Sequence, residues 1–553
     1  MDQAFKDAMT AGYALSEPSV VLGSAMQGGE LFNDTRVQVA LSMMNRHGLV
    51  AGATGTGKTR TLQLMAGQLA QAGVPVFMAD IKGDLTGLAS PGDATNPKLQ
   101  QRLTDLAWTF QPGGHQVEFL SLSGKLGAQV RASVHSFGPL LLGKVLDLND
   151  TQTSILSVVF KYCDDNQLAL LDLADLRTTL NYLGSDAGKP ALADYGGIAP
   201  SSLGVIGRAL VTLEQQGADV FFGEPEFEVA DLMRVAPDGH GIISLLELSD
   251  VMDKPALFST FMLWMLAQLY HALPEVGDIP KPKLAFFFDE AHLLFDNASQ
   301  ALLAQVEQTA RLIRSKGVGV YFATQTPTDI PSSVLAQLGN RFEHALRAFT
   351  PQDADNLKKT VRTFPITTFY DVEQTIQQLG IGEALVTVLS PRGVPTPLAA
   401  TRLIPPDSLM SALDPVTFQQ KVSSGSLQVK YSAAVDPVSA HEIITGRIQQ
   451  AQAAAAAAAQ AAYPGGVPTP GVPGNPGTSS PTPAQIAREA ARAQRQADML
   501  ERQQQREAAA ARKAQQRTID TALRTGGRIV TSRMGQDIIR GVFGTLFGGG
   551  RKG

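Results

Sequence analysis

The chain has 553 residues, of which 44% are hydrophobic, and a formal net charge of −5. It contains no uninterrupted apolar stretch of about 18 to 20 residues and no signal-peptide pattern at its start, so we expect a cytoplasmic protein without membrane insertion. Its single cysteine, Cys163, excludes an intrachain disulfide and a cysteine-based zinc site.

The charge is unevenly distributed along the chain. Residues 481–553 carry 14 Lys and Arg against 6 Asp and Glu, a net of +8, which leaves −13 for the remainder. The overall charge therefore does not identify a nucleic-acid-binding protein, and any DNA contact on the acidic part would require a local patch or a channel lining.

The first elements predict an α/β fold. Residues 1–45 are interpreted as an N-terminal lead-in, and the segment HGLVAGATGTGKT then predicts a buried strand followed by a glycine-rich loop. Helical apolar spacing from Thr59 to Ala72 ends at Gly73, and VPVFMADIKGD predicts a second strand that ends at Asp80. This βαβ order predicts a mostly parallel sheet with helices on both faces.

Further elements alternate along a globular core, which we place at 46–410. The alternating pattern over 117–142 predicts a β-hairpin, and a Leu-rich, acidic stretch at about 146–235 predicts an inserted helical subdomain. The segments GIISLLEL, KLAFFFDEAH and VGVYFATQ predict three more buried strands, with a long apolar helix at 257–273.

The C-terminal part has a different composition. Residues 411–462 predict a helical extension, and the Pro/Gly-rich residues 463–483 predict a disordered linker. Residues 484–553 predict a basic helical tail, which either contacts nucleic-acid phosphates or tethers an apolar final helix to the protein.

One motif predicts nucleotide binding. The eight residues from Gly52 to Thr59 fit the pattern G-x-x-x-x-G-K-[ST] between a predicted strand and a predicted helix; they are Gly52, Ala53, Thr54, Gly55, Thr56, Gly57, Lys58 and Thr59. Such a loop binds phosphate through backbone N–H groups and the helix N-terminus. We expect Lys58 to contact the β- and γ-phosphates, Thr59 to ligate Mg²⁺, and Arg60 to belong to the nucleotide site, with ATP and Mg²⁺ as cofactors.

Two carboxylates follow a predicted strand of five apolar residues. We expect Asp289 to hold Mg²⁺ at the tip of a strand beside the P-loop strand, and Glu290 to orient and deprotonate the attacking water. This pair favours hydrolysis over phosphate transfer to another substrate, although the same residues are also compatible with a simple strand cap.

Other polar residues end predicted strands. Gln325 closes the strand VGVYFATQ, where its amide can sense the γ-phosphate or only cap the strand. The segment ADIKGD places Asp80, Lys82 and Asp84 either near the nucleotide or in a turn, and the pattern favours neither.

These motifs together resemble the HerA/FtsK group of P-loop ATPases, and more narrowly its HerA-like, helicase-like bacterial branch. The resemblance covers 21–404 and rests on AGATGTGKTRTLQ, ADIKGDLTGL, FFFDEAHLLF and ARLIRSKGVGVYFATQTPTDIP. It implies a RecA-like core, a ring that is usually a hexamer, and ATP-driven movement of double-stranded DNA or, in secretion relatives, of protein. HerA itself has a β-barrel before its P-loop, whereas 51 residues precede Gly52 here, which we expect to be too few for one.

Ring ATPases commonly complete each site with an arginine from the neighbouring subunit. The candidates are Arg311, Arg314, Arg341 and Arg347, each of which could equally be a surface or ion-pairing residue.

Three functions remain open from the sequence. The leading hypothesis is a ring ATPase that translocates or remodels DNA. The alternatives are a secretion or conjugation coupling ATPase and a nucleotide-regulated assembly factor with slow hydrolysis.

Overall fold

The computed structural model describes residues 3–196, 198–295 and 300–461. The predictions for the linker and the basic tail lie outside these ranges. One twelve-stranded sheet organises the described residues. Its strands are β1 (Ser19–Gln27), β2 (Glu30–Ala40), β3 (Gly48–Ala51), β4 (Val76–Asp80), β5 (Val117–Ser121), β6 (Ala128–Gln129), β7 (Ile243–Glu247), β8 (Leu284–Phe288), β9 (Val318–Thr324), β10 (Asn340–Glu343), β11 (Glu383–Thr387) and β12 (Ala399–Leu403).

Helices connect these strands and cover the sheet. They are α1 (Gln3–Tyr13), α2 (Lys58–Gln71), α3 (Pro97–Asp105), α4 (Val134–Val145), α5 (Asp150–Asp165), α6 (Leu173–Gly184), α7 (Pro200–Gln215), α8 (Pro255–Ala272), α9 (His292–Phe295), α10 (Gln300–Leu312), α11 (Ser332–Leu335), α12 (Pro351–Val361), α13 (Val372–Gln378), α14 (Pro415–Ser424), α15 (Ser426–Tyr431) and α16 (Ala440–Ala461). Among the described helices we find none with the length and hydrophobicity needed to span a lipid bilayer.

The strand order is β2-β1-β12-β11-β10-β3-β9-β8-β4-β7-β5-β6. All neighbours from β10 to β6 are parallel, whereas β11, β12, β1 and β2 pair in antiparallel fashion at the other end. The predicted α/β class with a mostly parallel sheet is thereby confirmed.

Two local predictions were wrong. The strand that carries Asp289 and Glu290 does not lie beside the P-loop strand, because β9 separates β8 from β3. The predicted hairpin at 117–142 is also not formed, since β5 and β6 pair in parallel and α4 follows. Alternating hydrophobicity identifies a strand with one covered face but does not give the direction of its partner.

The central strands are buried on both faces. Along β4, Phe77 and Ala79 belong to one apolar cluster, whereas Val76 and Met78 belong to the other. This alternation follows from the two-residue period of a strand. Helices α4–α8 contribute buried side chains to the first cluster, and α1 and α2 contribute to the second. The two layers fix the sheet, and with it the loops at its carboxyl edge.

The N-terminal residues form part of this sheet. Phe5 and Met9 of α1 are fully buried against the cluster that contains the hairpin β1–β2. The hairpin pairs with β12, which closes the antiparallel end of the sheet.

A C-terminal strap, defined as residues 405–444, runs from the end of β12 across the body. Asp407 lies 3.0 Å from Nε2 of His115, and backbone N–H groups of Ser426 and Leu427 donate to Glu118 on β5. Farther along, the strap reaches α6, where the backbone N–H of His441 donates to Asp175 at 2.8 Å. The strap therefore connects the sheet with the helices between β6 and β7.

Candidate active site

The candidate site lies where the carboxyl ends of four adjacent parallel strands meet. In spatial order these are β3, β9, β8 and β4, and each is followed by a segment that carries a predicted site residue. Ligand sites of open parallel sheets form at this edge, because loops and helix N-termini converge there.

The loop between β3 and α2 has the backbone of a phosphate cradle. Gly52 has a φ of 150° and Gly57 a φ of 117°, in a region that side chains disfavour. There is also no space for a side chain at Gly52, since a Cβ would lie 2.5 Å from Cβ of His344. The loop is anchored by neighbouring chain segments, because the N–H of Ala53 donates to the carbonyl of Ala345 and the N–H of Gly382 to that of Thr56.

Lys58 begins α2 and is 7% exposed. Its Nζ donates to the carbonyl oxygen of Gly52 at 2.7 Å, so the ammonium lies folded back over the loop. Burial lowers the pKa of Lys58, while Glu290 and Asp289 act in the opposite direction. Thr59 is half-buried in the same first turn, and Arg60 donates to Gln63 at 2.6 Å.

Asp289 directly follows β8 and is 3% exposed. Its Oδ1 accepts a hydrogen bond from the N–H of Glu290 at 2.9 Å. Burial, followed by the nearby charge of Glu290, raises the pKa of Asp289 to about 6. Burial and the neighbouring carboxylate both disfavour the charged form of Asp289, and a cation bound beside it would stabilise that form.

Glu290 is 5% exposed and has a positive φ of 46°, which is uncommon for a residue with a side chain. Its Oε1 is paired with Nζ of Lys82, and its buried Oε2 accepts no hydrogen bond. Nδ1 of His292 lies 3.3 Å from Oε2, but without hydrogen-bond geometry. One oxygen of this carboxylate is therefore available to a further donor.

Asp80 caps a turn. Its Oδ1 accepts from the N–H groups of Lys82, Gly83 and Asp84, and its Oδ2 accepts from that of Leu85 at 2.7 Å. Of the two interpretations of the segment ADIKGD, turn capping describes Asp80, whereas the Lys82 ammonium pairs with the carboxylate of Glu290.

Gln325 follows β9, between the P-loop strand and the strand of the carboxylates, and is exposed. The N–H of Gly52 donates to the carbonyl of Thr324 at 3.3 Å, so this strand end adjoins the P-loop. The intervening strand thus places Gln325 between the two halves of the site.

The four arginines fall into two pairs. Arg341 donates to Thr363 and to the carbonyl of Leu335, and Arg347 donates to the carbonyls of Gln377 and Leu379. Arg311 at the end of α10 and Arg314 just beyond it are exposed, and the described residues provide no hydrogen bond or ion pair for either side chain.

Sequence reasoning missed three buried polar residues near this edge. Glu247 ends β7 beside Asp80, Glu343 ends β10 beside β3, and His344 follows Glu343. Burial is the largest cause in each case: it raises the pKa of Glu247 to about 9 and that of Glu343 to about 8, and lowers that of His344 to about 3. The signal was available, because a carboxylate at the end of an apolar strand is also what identified Asp289.

A cavity of about 540 Å³ adjoins the first turn of α2. Gly57, Arg60 and Thr61 form one wall, and apolar residues near the end of β12 form another. Among its other lining residues, Arg102 donates to the carbonyls of Leu403, Ile381 and Gly382. Its volume lies in the range of small-molecule sites, which is about 300–1,000 Å³.

The chain matches the model of the family described as "Helicase HerA-like C-terminal" over residues 28–552. The chain belongs to this family. This match confirms the resemblance drawn from the motifs and makes the protein a P-loop ATPase of the HerA/FtsK type.

Several solved structures are also similar. The unbound bacterial conjugative coupling protein TrwBdeltaN70 is 15% identical, with a TM-score of 0.48, covering 74% of this chain and 94% of that chain. VirB4 of Thermoanaerobacter pseudethanolicus is 14% identical, with a TM-score of 0.43, covering 71% and 98%. The plasmid coupling protein TrwB in complex with ADP and Mg²⁺ is 14% identical, with a TM-score of 0.46, covering 70% and 95%. A comparison with curated proteins gave no match.

Proposed function

We propose that this HerA-like ATPase binds ATP with Mg²⁺, hydrolyses it, and uses the hydrolysis to translocate or remodel double-stranded DNA as a homo-oligomeric ring, with a hexamer as the expected form. The observation that carries the catalytic part is the convergence of the P-loop with Asp289 and Glu290 at one edge of the sheet, although more than 220 residues separate them in the chain. The DNA and ring parts are supported by the family.

The described residues fit ATP and Mg²⁺. The loop with its positive φ angles directs N–H groups to phosphate oxygens, and Lys58 can exchange the carbonyl of Gly52 for a phosphate. The hydroxyl of Thr59 and the carboxylate of Asp289 would hold Mg²⁺, which neutralises charge on the phosphates when bound. Two protein ligands suffice for this ion, which retains waters and phosphate oxygens in its shell.

Glu290 is the proposed base. Its unpartnered Oε2 would accept a proton from the attacking water, while Gln325 would contact the terminal phosphate from the neighbouring strand end. Because Oε2 is buried, bulk water does not compete for this position.

The cavity beside α2 would take the ribose and base. It begins at Gly57, Arg60 and Thr61, the residues next to the phosphate cradle, and its remaining lining is largely apolar. The aromatic face of a base would fit such a wall, and Arg60 lies in the first turn of α2, next to the phosphate cradle.

An arginine from a neighbouring subunit would complete the site. Arg311 and Arg314 suit this role better than Arg341 and Arg347, because their guanidinium groups have no partner among the described residues. A free guanidinium can stabilise charge on a phosphate of the adjacent subunit without first breaking contacts of its own.

The decisive experiment measures ATP hydrolysis with and without double-stranded DNA for the wild type, Lys58→Ala and Glu290→Gln. We expect DNA to stimulate the wild type, Lys58→Ala to lose turnover, and Glu290→Gln to retain nucleotide binding but lose turnover by about 100-fold or more. Near wild-type hydrolysis by Glu290→Gln would contradict the catalytic assignment.

The same measurement separates the alternative functions. Slow hydrolysis that DNA leaves unchanged would favour the nucleotide-regulated assembly factor over the DNA motor. Stimulation only by single-stranded DNA or by a protein cargo would favour a coupling ATPase of the conjugation or secretion type.

A further inference from the structure

The ion pair between Lys82 and Glu290 joins two residues of very different exposure. The Lys82 side chain is 45% exposed, whereas Glu290 is 5% exposed. The ammonium therefore reaches from solvent to a buried carboxylate that the proposed function requires as a base. In this arrangement the ammonium occupies Oε1, one of the two oxygens of that carboxylate.

The backbone that carries Lys82 is fixed. Asp80 accepts hydrogen bonds from four successive backbone N–H groups of the turn, including that of Lys82. Asp80 itself is fully buried at the end of β4. Movement of the ammonium thus requires only rotations within the long Lys82 side chain, which keeps the rest of the site in place.

The P-loop lysine is close to the same carboxylates. Burial has the largest effect on the pKa of Lys58 and lowers it, whereas Glu290 and Asp289 raise this pKa and Lys82 lowers it, so these three charges lie within electrostatic range of the P-loop lysine. The terminal phosphate of a bound nucleotide, which Lys58 and the metal hold in this space, would present a second anion within reach of Lys82.

We propose that Lys82 is a positioning residue shared between Glu290 and the terminal phosphate of the nucleotide. Without nucleotide, Lys82 holds the Glu290 carboxylate as an ion pair. With a triphosphate bound, the ammonium moves to the γ-phosphate, and Glu290 becomes free to accept the proton of the attacking water. The water oxygen bonds to the γ-phosphorus as the bond from that phosphorus to the bridging oxygen breaks, and the diphosphate is the leaving group. A diphosphate lacks the competing anion, so the resting pair forms again after phosphate leaves.

This inference rests on the proposed function, and binding measurements test it without hydrolysis. Affinities for AMP-PNP and for ADP, both with Mg²⁺, are measured by calorimetry for the wild type, Lys82→Met, Glu290→Gln and the double variant. Lys82→Arg tests rescue by another cation, and Lys125→Met serves as a control at an exposed lysine on a different loop.

Four results are expected together. Lys82→Met weakens AMP-PNP binding by about threefold to tenfold and changes ADP binding by less than about twofold, because only the triphosphate analogue offers the γ-phosphate. Glu290→Gln strengthens AMP-PNP binding by a similar factor, since it releases the ammonium. This gain disappears in the double variant, and Lys82→Arg retains most of the preference for AMP-PNP over ADP.

Other outcomes would contradict either this inference or the proposed function, and the measurements distinguish the two cases. If Glu290→Gln changes AMP-PNP affinity by the same factor with and without Lys82→Met, the ammonium is not shared and the inference is wrong. Equal weakening of AMP-PNP and ADP by Lys82→Met would assign the residue a merely structural role, which also overturns it. Failure of the wild type to bind either nucleotide would instead contradict the proposed function itself.

Discussion

Replacing Asp289 with asparagine should stabilise the nucleotide-free protein while removing the carboxylate proposed to hold Mg²⁺. The pKa of Asp289 is raised from 3.8 to about 6, and the side chain is 3% exposed. Because the folded pKa lies above the unfolded one, the favourable contribution of the protonated form is complete below about pH 4 and is lost as the pH rises through about 6. Above that range the buried charge costs about 3 kcal/mol of unfolding free energy, from about two pKa units at about 1.4 kcal/mol each.

Asparagine has nearly the same shape and keeps an oxygen for the N–H of Glu290. Its stabilisation should therefore reach about 3 kcal/mol at pH 8 and fall to about 1.5 kcal/mol at pH 5, where the wild type is largely protonated when folded. Urea denaturation followed by tryptophan fluorescence, in EDTA and without nucleotide, measures the difference. Asp355→Asn on the exposed surface of α12 is the matched control, because this replacement removes no buried carboxylate.

A variant that is no more stable than the wild type at pH 8 would refute this reasoning. So would a gain of equal size at both pH values, because a change that does not depend on protonation cannot come from the buried charge. The same variant should lose Mg²⁺-dependent turnover, which would show that the residue is retained for chemistry at the expense of stability.

Two further outcomes are expected. Arg311→Ala or Arg314→Ala should be inactive alone but should regain part of the ATPase activity when mixed with Glu290→Gln subunits. Recovery is expected because a mixed ring contains sites in which both the arginine and the glutamate are intact, whereas an arginine that acts within its own subunit would give none. Tyr431→Phe in the strap should lower the unfolding free energy by about 1–3 kcal/mol. The reason is that the buried hydroxyl of Tyr431 accepts a hydrogen bond from the N–H of Glu228 at 3.0 Å and donates one to Asp231, and an unchanged urea midpoint would contradict this expectation.

The phosphate-binding half of the site could be predicted from the sequence because its chemistry is local. The residues from Gly52 to Thr59 are contiguous, and their spacing reflects one loop whose backbone needs positive φ angles. Asp289 and Glu290 were recognisable for a similar reason, since carboxylates that end an apolar strand lie at a sheet edge.

The arrangement between segments was less predictable. Hydrophobic periodicity indicates that β8 and β9 are buried strands, but the order of these strands in the sheet depends on how the connecting helices pack against it. In the structure, β9 lies between β8 and β3. The pair of Lys82 with Glu290 spans 208 positions and has no local pattern. The parallel pairing of β5 with β6 was missed because alternation alone does not distinguish a hairpin from two parallel strands.

The strap also affects how the helices between β6 and β7 can move. The hydroxyl of Ser439 and the backbone N–H of His441 donate to Oδ1 of Asp175, which is 1% exposed at the start of α6, whereas its Oδ2 accepts from the N–H groups of Leu171 and Asp172. If these helices swung away from the sheet as a lid, they would either carry the strap with them or leave this buried oxygen, Oδ1, without its donors. Truncation of the chain before residue 439 should therefore loosen α6, far from the cut in sequence, and make it sensitive to proteases before the sheet itself unfolds.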